Sequence, residues 1–280
     1  ALLRGLSHSR RHCRHLSPTG RIRVSDLPIL AEPREGVPPV VNTPDSLTHT
    51  CRALSNGHGP IAIDTERAHG FRYSPRACLI QLRRDGSGTH LVDPLALGGA
   101  VGLKPLAKAL AGTQWILHAA TQDMPCLAMD GLRPDDLFDT ELAGRLLNLP
   151  RVSLGPMVER YCGVTLLKEH SASDWSRRPL PRDWQVYAAL DVELLNDLRE
   201  KILSDLHEAG KEEWARQEFA HLVEVAADLP SEEPGIDPKR WRKLSHIGDI
   251  HSRAGLQLAH DLWLARENLA HDLDIMPGRL

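Results

Sequence analysis

The 280-residue sequence lacks the features that mark membrane-spanning, disulfide-bonded and zinc-knuckle proteins. No apolar run approaches the roughly 18 residues that a transmembrane helix needs. The five cysteines stand apart without a CxxC pair, so neither a disulfide framework nor a zinc knuckle is expected, and the reducing cytoplasm is the simplest location. The HExxH, GxSxG and GxxxxGK-S/T motifs are absent too. No sequence motif therefore supports classification as a general metalloprotein or a small-molecule phosphatase.

A strong net charge is also missing, because 34 Lys and Arg residues are balanced by 37 Asp and Glu residues. This balance does not exclude a nucleic-acid partner, for which the placement of charge matters more than the total. The first 23 residues contain six arginines and no acid. We therefore predict that residues 1–43 are a basic, disordered extension and that ordered structure begins near Thr43. A transit peptide and a nucleic-acid-binding arm are alternative interpretations.

Short apolar runs and turn residues predict the strands of a sheet. Runs at 61–63, 77–82, 90–92 and 115–117 are typical of buried strands, and the glycines at 85–88 favour a hairpin between the second and third. From residue 137 onward the pattern is helical, with one long helix over 184–203 and another over 211–225. Strands followed by helices predict an α/β fold, a mixed sheet flanked by helices.

A smaller helical module is predicted after the linker at 230–235. Helical spacing continues over residues 238–273, where the apolar positions are Trp241, Leu244, Leu256, Leu258, Leu262 and Leu269. We therefore expect four segments: the extension at 1–43, a first domain at 44–210, a helix and linker at 211–235, and an all-helical module at 236–280.

Two acids end the predicted strand that begins at residue 61. Asp64 and Glu66 are two residues apart, which puts both side chains on one face of the strand. Adjacent like charges are unfavourable unless a cation or water relieves them, so the pair is a candidate site. The alternative is a pair of exposed acids at a strand end.

Three further residues extend this candidate site. Asp123 follows the strand at 115–117, and loops after the carboxyl ends of strands often carry chemistry, although a helix N-cap is the alternative. Tyr187 and Asp191 are four apart on a predicted helix and share one face. For them the alternative is a tyrosine at the core edge and a solvated aspartate.

Four carboxylates at one end of a sheet are untenable without cations. Oxygen-only ligation with few carboxylates per ion suits Mg²⁺ or Mn²⁺, which keep waters and bind substrate phosphate. Two such ions about 4 Å apart clamp the attacking and leaving oxygens in phosphodiester cleavage.

Three ordered motifs resemble those of the ribonuclease D family. They are Ile-Asp-Thr-Glu at 63–66, His-Ala-Ala-Thr-Gln-Asp-Met at 118–124 and Tyr-Ala-Ala-Leu-Asp-Val at 187–192, with family landmarks at 73–82, 91–95, 138–140 and 174–180. The third motif, with Tyr four before Asp, is that of the tyrosine subclass of DEDD exonucleases. The resemblance covers residues 58–205 and implies a ribonuclease H-like sheet and 3′→5′ hydrolysis of nucleic acid.

The resemblance also implies a role for each motif residue. Asp64, Glu66 and Asp191 would hold a first metal ion, and Asp64 would bridge to a second ion supported by Asp123. Tyr187 would orient the attacking water, and Glu66 would touch the terminal 3′ hydroxyl. The cofactors implied are two divalent ions, Mg²⁺ or Mn²⁺.

Residues outside this set receive weaker assignments. We expect His118 to shape its loop rather than transfer protons. Phe71 and Tyr73 are candidates for stacking a terminal base, or else for packing. Substrate phosphates could meet arginines of the first domain, with solvated surface positions as the alternative: Arg76, Arg177, Arg178 and Arg182. Residues 238–242 and 258–267 resemble an HRDC domain that stops short of its full length.

The combined interpretation is a metal-dependent 3′-5′ exoribonuclease acting on single-stranded RNA 3′ ends, such as those of tRNA precursors. A single-stranded DNA exonuclease is the alternative enzyme, because no residue of the sequence distinguishes RNA from DNA. A nucleic-acid-binding module with little catalysis is a third possibility, against which the complete set of four carboxylates and Tyr187 argues. We expect a cytoplasmic monomer with no membrane partner.

Overall fold

A six-stranded mixed sheet with helices on both faces forms the body of the protein. The computed structural model describes residues 27–167 and 172–280, so the basic segment at 1–23 lies outside the described residues. The strands are β1 (Ile29–Leu30), β2 (Val40–Val41), β3 (His58–Glu66), β4 (Leu79–Asp85), β5 (Gly88–Val92), β6 (Gln114–Leu117), β7 (Asp136–Asp139) and β8 (Thr165–Leu166).

The helices before residue 170 are α1 (Pro44–Asn56), α2 (Pro94–Leu97), α3 (Gly99–Gly102), α4 (Lys104–Leu110), α5 (Met124–Met129), α6 (Thr140–Leu146) and α7 (Leu154–Cys162). They are followed by α8 (Arg182–Glu193), α9 (Leu195–Glu208), α10 (Glu212–Ala227) and α11 (Arg253–Asp272). Short 3₁₀ turns lie at Ala120–Gln122, Arg240–Lys243, Ile247–Asp249 and Pro277–Arg279. None of these helices, within the residues described, is long and apolar enough to span a bilayer.

Strand β3 lies inside the sheet, whose order is β2-β5-β4-β3-β6-β7. It pairs antiparallel with β4 and parallel with β6, and β4 and β5 form the predicted hairpin. Its three apolar residues, Ile61, Ala62 and Ile63, are fully buried, because helices cover both faces of the sheet. This confirms the predicted α/β class and mixed sheet.

The two faces of the sheet have separate cores, and alternation along β3 assigns its side chains to them. Ile61 and Ile63 pack in the core under α1, α4 and α5, whereas Ala62 packs in the core under α6 to α9. Since successive side chains of a strand point to opposite faces, Asp64 and Glu66 continue the Ala62 side, and Thr65 continues the Ile63 side.

Ordered structure begins earlier than the sequence indicates. Strand β1 pairs with β8, and β2 adds to the edge of the central sheet beside β5. The expectation of a disordered chain up to residue 43 is therefore wrong for residues 27–43. The two valines of β2 are enough to extend the sheet, because Val41 reaches the core, but two residues are too few to give a periodic signal.

The predicted long helix over 184–203 is two helices. Helix α8 ends at Glu193 and α9 begins at Leu195, with Leu194 between them at φ −113° and ψ 4°. Leu194, Leu195 and Leu198 are all buried. The break changes the direction of the chain so that all three leucines reach the core. The spacing of apolar residues along the sequence does not reveal this packing requirement.

The segment after residue 235 is helical, as predicted, but it presents a different face to the protein. Three leucines of the expected apolar set, Leu258, Leu262 and Leu269, are exposed by 51–63%. Helix α11 instead buries Trp263, Glu267 and Ala270. The apolar positions at helical spacing are thus not the face that packs, because the helix packs through Trp263 and through Glu267, which accepts a hydrogen bond from Tyr73.

The C-terminal segment holds the loop that follows β3. The Tyr73 hydroxyl donates to Glu267 at 3.3 Å, and the Ser74 amide donates to Asp274 Oδ1 at 2.9 Å. The Arg279 guanidinium lies 3.9 Å from the Phe71 ring centroid. Both rings are thus occupied by packing against the C-terminal segment, which favours the packing interpretation of Phe71 and Tyr73 over base stacking.

Replacing Asp274 should loosen this loop. Asp274→Ala removes the acceptor of the Ser74 amide and puts alanine at φ 48°, so we expect a local loss of about 1–2 kcal/mol. Hydrogen exchange of peptides covering residues 70–76 should quicken about tenfold or more, whereas Asp274→Asn keeps the acceptor and should retain protection. The exposed neighbour supplies a control, Asp272→Ala. Equal effects of the two alanine variants would contradict the assignment.

Candidate active site

The end of β3 and the middle of α8 bring three carboxylates together. Asp64 and Glu66 come from the last residues of β3, and Asp191 comes from α8, which packs across β3, β4 and β5. One oxygen of each carboxylate lies within 4.8 Å of the other two. The spacing of two on the strand and the helix crossing therefore produce the predicted acidic group.

Burial makes the charges of this group unfavourable. Burial, and then the neighbouring Asp123 and Asp191, raises the pKa of Asp64 well above its ordinary value. Burial, and then the charges of Asp64, Asp191 and Asp123, raises the pKa of Glu66 to about 10, and burial raises that of Asp191 to about 7. Without a cation the group therefore holds protons near neutral pH. A divalent ion would replace those protons, and the all-oxygen donor set suits a hard cation.

Asp123 lies beside the group but is held from the other face of the sheet. Its carboxylate accepts a 2.6 Å hydrogen bond from the Thr65 hydroxyl. Asp123 directly precedes α5, but its side chain makes no capping hydrogen bond to that helix. Burial raises its pKa to about 6, against the Thr65 bond and the charge of Arg67. Asp123 is near enough to raise the pKa of Asp64, yet it is not one of the three clustered acids.

Tyr187 stands one turn before Asp191 and hydrogen-bonds to it. Burial, followed by the charges of Asp191, Glu66 and Asp64, raises its pKa far above the ordinary value. The phenol therefore keeps its proton at physiological pH. The Trp175 ring packs 6.2 Å from the tyrosine ring, centroid to centroid, which limits its movement.

His118 supports a loop, as predicted. Its Nδ1 lies 2.8 Å from the Thr140 hydroxyl, and burial lowers its pKa. The amides of Ala119 and Ala120 donate to the buried Asp139 carboxylate at 3.1 and 2.9 Å. These contacts hold the turn that leads to Asp123. The landmark at 138–140 therefore has a structural reason that the sequence alone did not reveal.

Two of the arginines considered for phosphate binding, Arg76 and Arg178, have other partners. Arg178 donates to Asp93, to the carbonyls of Trp175 and Arg177, and to that of Cys78, so the structure uses it to hold the 174–180 loop. Arg76 lies within 4 Å of Asp130 and Glu233. These bonds favour a structural role for Arg178, and short-range sequence patterns do not reveal such distant acceptors.

An open cavity of about 460 Å³ joins these residues. All five candidate residues line it, together with Arg67, His118, Gln122 and Glu141. Arg67 is the residue that the sequence analysis missed. The only signal available was its position next to Glu66.

A family model described as 3′-5′ exonuclease matches residues 38–207. The chain belongs to the 3′-5′ exonuclease family. Ribonuclease D of Zymomonas mobilis is 34% identical over 247 residues, which are 86% of this chain and 60% of that protein. The chain thus spans about three-fifths of the length of the curated relatives that it matches.

Solved structures are similar to this chain over most of its length. A protein from Bifidobacterium adolescentis is similar at 44% identity with a TM-score of 0.83, over 90% of this chain and 60% of that one. Escherichia coli RNase D, described as an exoribonuclease involved in structured RNA processing, is 29% identical with a TM-score of 0.63 over 86% and 62%. The resemblance to the ribonuclease D family and the predicted fold are confirmed.

The stability of the metal-free protein should fall as pH rises from about 4 to 7. Asp191 ionises near pH 4 when unfolded and about 7 when folded, so the native state binds the extra proton, and its advantage disappears over that interval. Asp191→Asn should flatten this dependence, by about 1.4 kcal/mol for each unit of the pKa difference. Thermal unfolding in EDTA across pH 4–8 measures it. A parallel curve for the variant would contradict the assignment.

Proposed function

We propose that the protein is a divalent-metal-dependent 3′-5′ exoribonuclease that removes nucleotides from the 3′ ends of single-stranded RNA. The observation that carries the proposal is the group formed by Asp64, Glu66 and Asp191, whose oxygens lie within 4.8 Å of one another in an open cavity. Membership of the 3′-5′ exonuclease family supports the reaction, and the ribonuclease D relatives support RNA as the substrate.

The donor set fits two hard cations, Mg²⁺ or Mn²⁺. Asp64, Glu66 and Asp191 would hold the first ion, and Asp64 and Asp123 would hold the second. Bound ions of this kind supply Lewis-acid stabilisation of the phosphate and a water of lowered pKa. The unfavourable burial of four carboxylates is the physical reason that the site favours cations.

The residues of the chain then position the reactants. Tyr187 keeps its proton, so it serves as a hydrogen-bonding group that orients the attacking water and does not serve as the base. Its bond to Asp191 fixes the direction of the phenol relative to the carboxylates. Glu66 would accept a hydrogen bond from the terminal 3′ hydroxyl. This contact would select strand ends over internal positions.

The substrate and the setting belong to the same proposal. Precursor tRNA is one RNA with a 3′ extension that such an enzyme would shorten. We propose a cytoplasmic monomer. Single-stranded DNA is the competing substrate, and a direct comparison of matched RNA and DNA strands discriminates between them.

Hydrolysis of a 5′-labelled single-stranded RNA tests the activity. With Mg²⁺ or Mn²⁺ we expect a ladder that shortens from the 3′ end, and none with EDTA. Asp64→Asn should lower the rate by at least about 100-fold, because it removes a ligand shared by both ions. The exposed Asp45→Asn serves as the matched control and should cleave like the wild type. Cleavage that persists in EDTA would refute the metal-dependent mechanism.

Tyr187→Phe tests the role of the phenol. We expect kcat to fall by about 10- to 100-fold with little change in KM, because water positioning is lost while the carboxylates remain. Stabilisation by Mn²⁺ in thermal unfolding should persist. Tyr161→Phe is the control, since its hydroxyl donates to Asp205 at 2.7 Å, outside the cavity. An unchanged kcat for Tyr187→Phe would remove the tyrosine from the mechanism.

A further inference from the structure

Gln81, on β4, is a buried amide beside the carboxylate group. It lies opposite Asp64 in the antiparallel pairing of β3 with β4, and opposite Leu91 in the pairing of β4 with β5. Side chains that face each other in such a pair lie on the same face of the sheet, with their Cβ atoms about 4.5–5.5 Å apart. A glutamine side chain is long enough to cross that gap, so its amide can reach the Asp64 carboxylate.

The face of the sheet on which Gln81 lies is the one that α8 covers. Alternation along β4 puts Leu79, Gln81 and Arg83 on the same face. Leu79 packs in a core with alanines of α8, and Arg83 lies 3.4 Å from Glu193 at the end of that helix. Gln81 therefore lies between β4 and the helix that carries Asp191.

The side chain of Gln81 is fully buried without a hydrogen-bond partner. Among the described residues, neither its amide nitrogen nor its amide oxygen has one. A buried polar group without a partner costs more free energy than an apolar side chain of the same shape, and buried polar groups of native proteins are nearly always paired. Leu91, its other cross-strand neighbour, offers no polar side chain, so the strand pairing leaves the Asp64 carboxylate as its polar neighbour.

Gln81 approaches Asp64 from inside the protein. Asp64 lines the open cavity with Glu66 and Asp191, whereas Gln81 has no exposed surface and does not line it. One oxygen of Asp64 belongs to the group of three clustered acids. A carboxylate has about four lone-pair sites, so the Thr65 amide, which also hydrogen-bonds to it, leaves a site for Gln81. Asp64 can therefore face a cation on its cavity side and an amide on its inner side.

We propose that Gln81 is a positioning residue for the metal site, whose amide N–H donates to the Asp64 carboxylate and fixes the orientation in which Asp64 binds divalent ions. The proposal rests on the metal-dependent function proposed above. Carboxylates that bind metals are themselves held by hydrogen bonds, and loss of such a bond typically weakens metal binding by about 10- to 100-fold. Gln81 touches neither ion nor substrate in this arrangement. It acts through Asp64.

Gln81→Met separates this role from ordinary packing, because methionine is similar in size and flexibility but has no N–H donor. In EDTA we expect the melting temperature to stay the same or to rise by about 2–4 °C, since the change removes a buried amide that has no partner. The Kd for Mn²⁺, followed by the loss of the free-ion EPR signal, should rise by at least about 10-fold. A packing role alone would lower the melting temperature and leave the Kd unchanged.

Gln114→Met is the matched control. Gln114 begins β6, which runs parallel to β3, so it lies away from the strand ends that carry the acids. Its amide nitrogen donates to Asp136 at 2.8 Å, and its amide oxygen accepts from Arg199 at 2.8 Å. Removal of an amide with two partners should lower the melting temperature by about 2–4 °C and change the Mn²⁺ Kd by less than about 2-fold. The two variants should therefore show opposite patterns of stability and metal binding.

A double-mutant cycle tests whether Gln81 acts through Asp64. In an Asp64→Asn background, which lacks the carboxylate to be held, addition of Gln81→Met should change the Mn²⁺ Kd by less than about 2-fold. A full additional loss would overturn the inference.

The outcomes separate this inference from the proposed function. A wild-type protein that binds no Mn²⁺ would refute the proposed metal site itself. Normal binding by the wild type with an unchanged Kd in Gln81→Met, or an equal loss in Gln114→Met, would overturn the role of Gln81 alone. Gln81→Leu repeats the comparison with a second apolar side chain. If neither Gln81 variant folds, the inference is also overturned, because an amide without a partner is not needed for folding.

Discussion

The mutual repulsion of closely spaced carboxylates at the end of β3 is the constraint on which the rest of the structure depends. Asp64, Glu66 and Asp191 lie where burial opposes ionisation, and proximity opposes it further. Such an arrangement is stable only when many contacts elsewhere hold the strand and the helix in place. Strand β3 has neighbours on both sides, and α8 packs across three strands. The site therefore belongs to the most constrained part of the sheet.

Alternation along β3 places successive side chains on opposite faces of the sheet. Asp64 and Glu66 point toward α8, while Thr65 points the other way and binds Asp123 at 2.6 Å. Asp123 thus approaches the same end of the strand from the α5 side, where Asp139 holds the preceding turn. One tripeptide therefore joins helices on both faces of the sheet to a single cavity. This explains how acids from three separate parts of the chain, β3, the residue before α5 and α8, come to line one cavity.

The grouping of these side chains was predictable because each part of it is local. A spacing of two on a strand and a spacing of four on a helix give the directions of Asp64, Glu66, Tyr187 and Asp191 before any tertiary contact is known. The fold class followed from the order of strands and helices for the same reason. The hydrogen bonds of Arg178 were not predictable, because its acceptors lie up to 100 residues away in the chain. The break at Leu194 and the exposed leucines of α11 likewise depend on which neighbouring elements are available for packing. The helical spacing of apolar residues in the sequence does not contain that information.

The C-terminal segment acts on the loop after β3 and not on the carboxylates themselves. Its hydrogen bonds reach Tyr73 and Ser74, and Arg279 also donates to the Gly70 carbonyl at 2.6 Å. The strand and helix that carry the acids are held by the sheet, so the geometry of the acidic group does not need this segment. Arg67 differs, because it begins the loop that the segment holds and lines a cleft between that loop and the segment. Attachment of the helical segment therefore bears on the loop after β3 more than on the geometry of the acidic group.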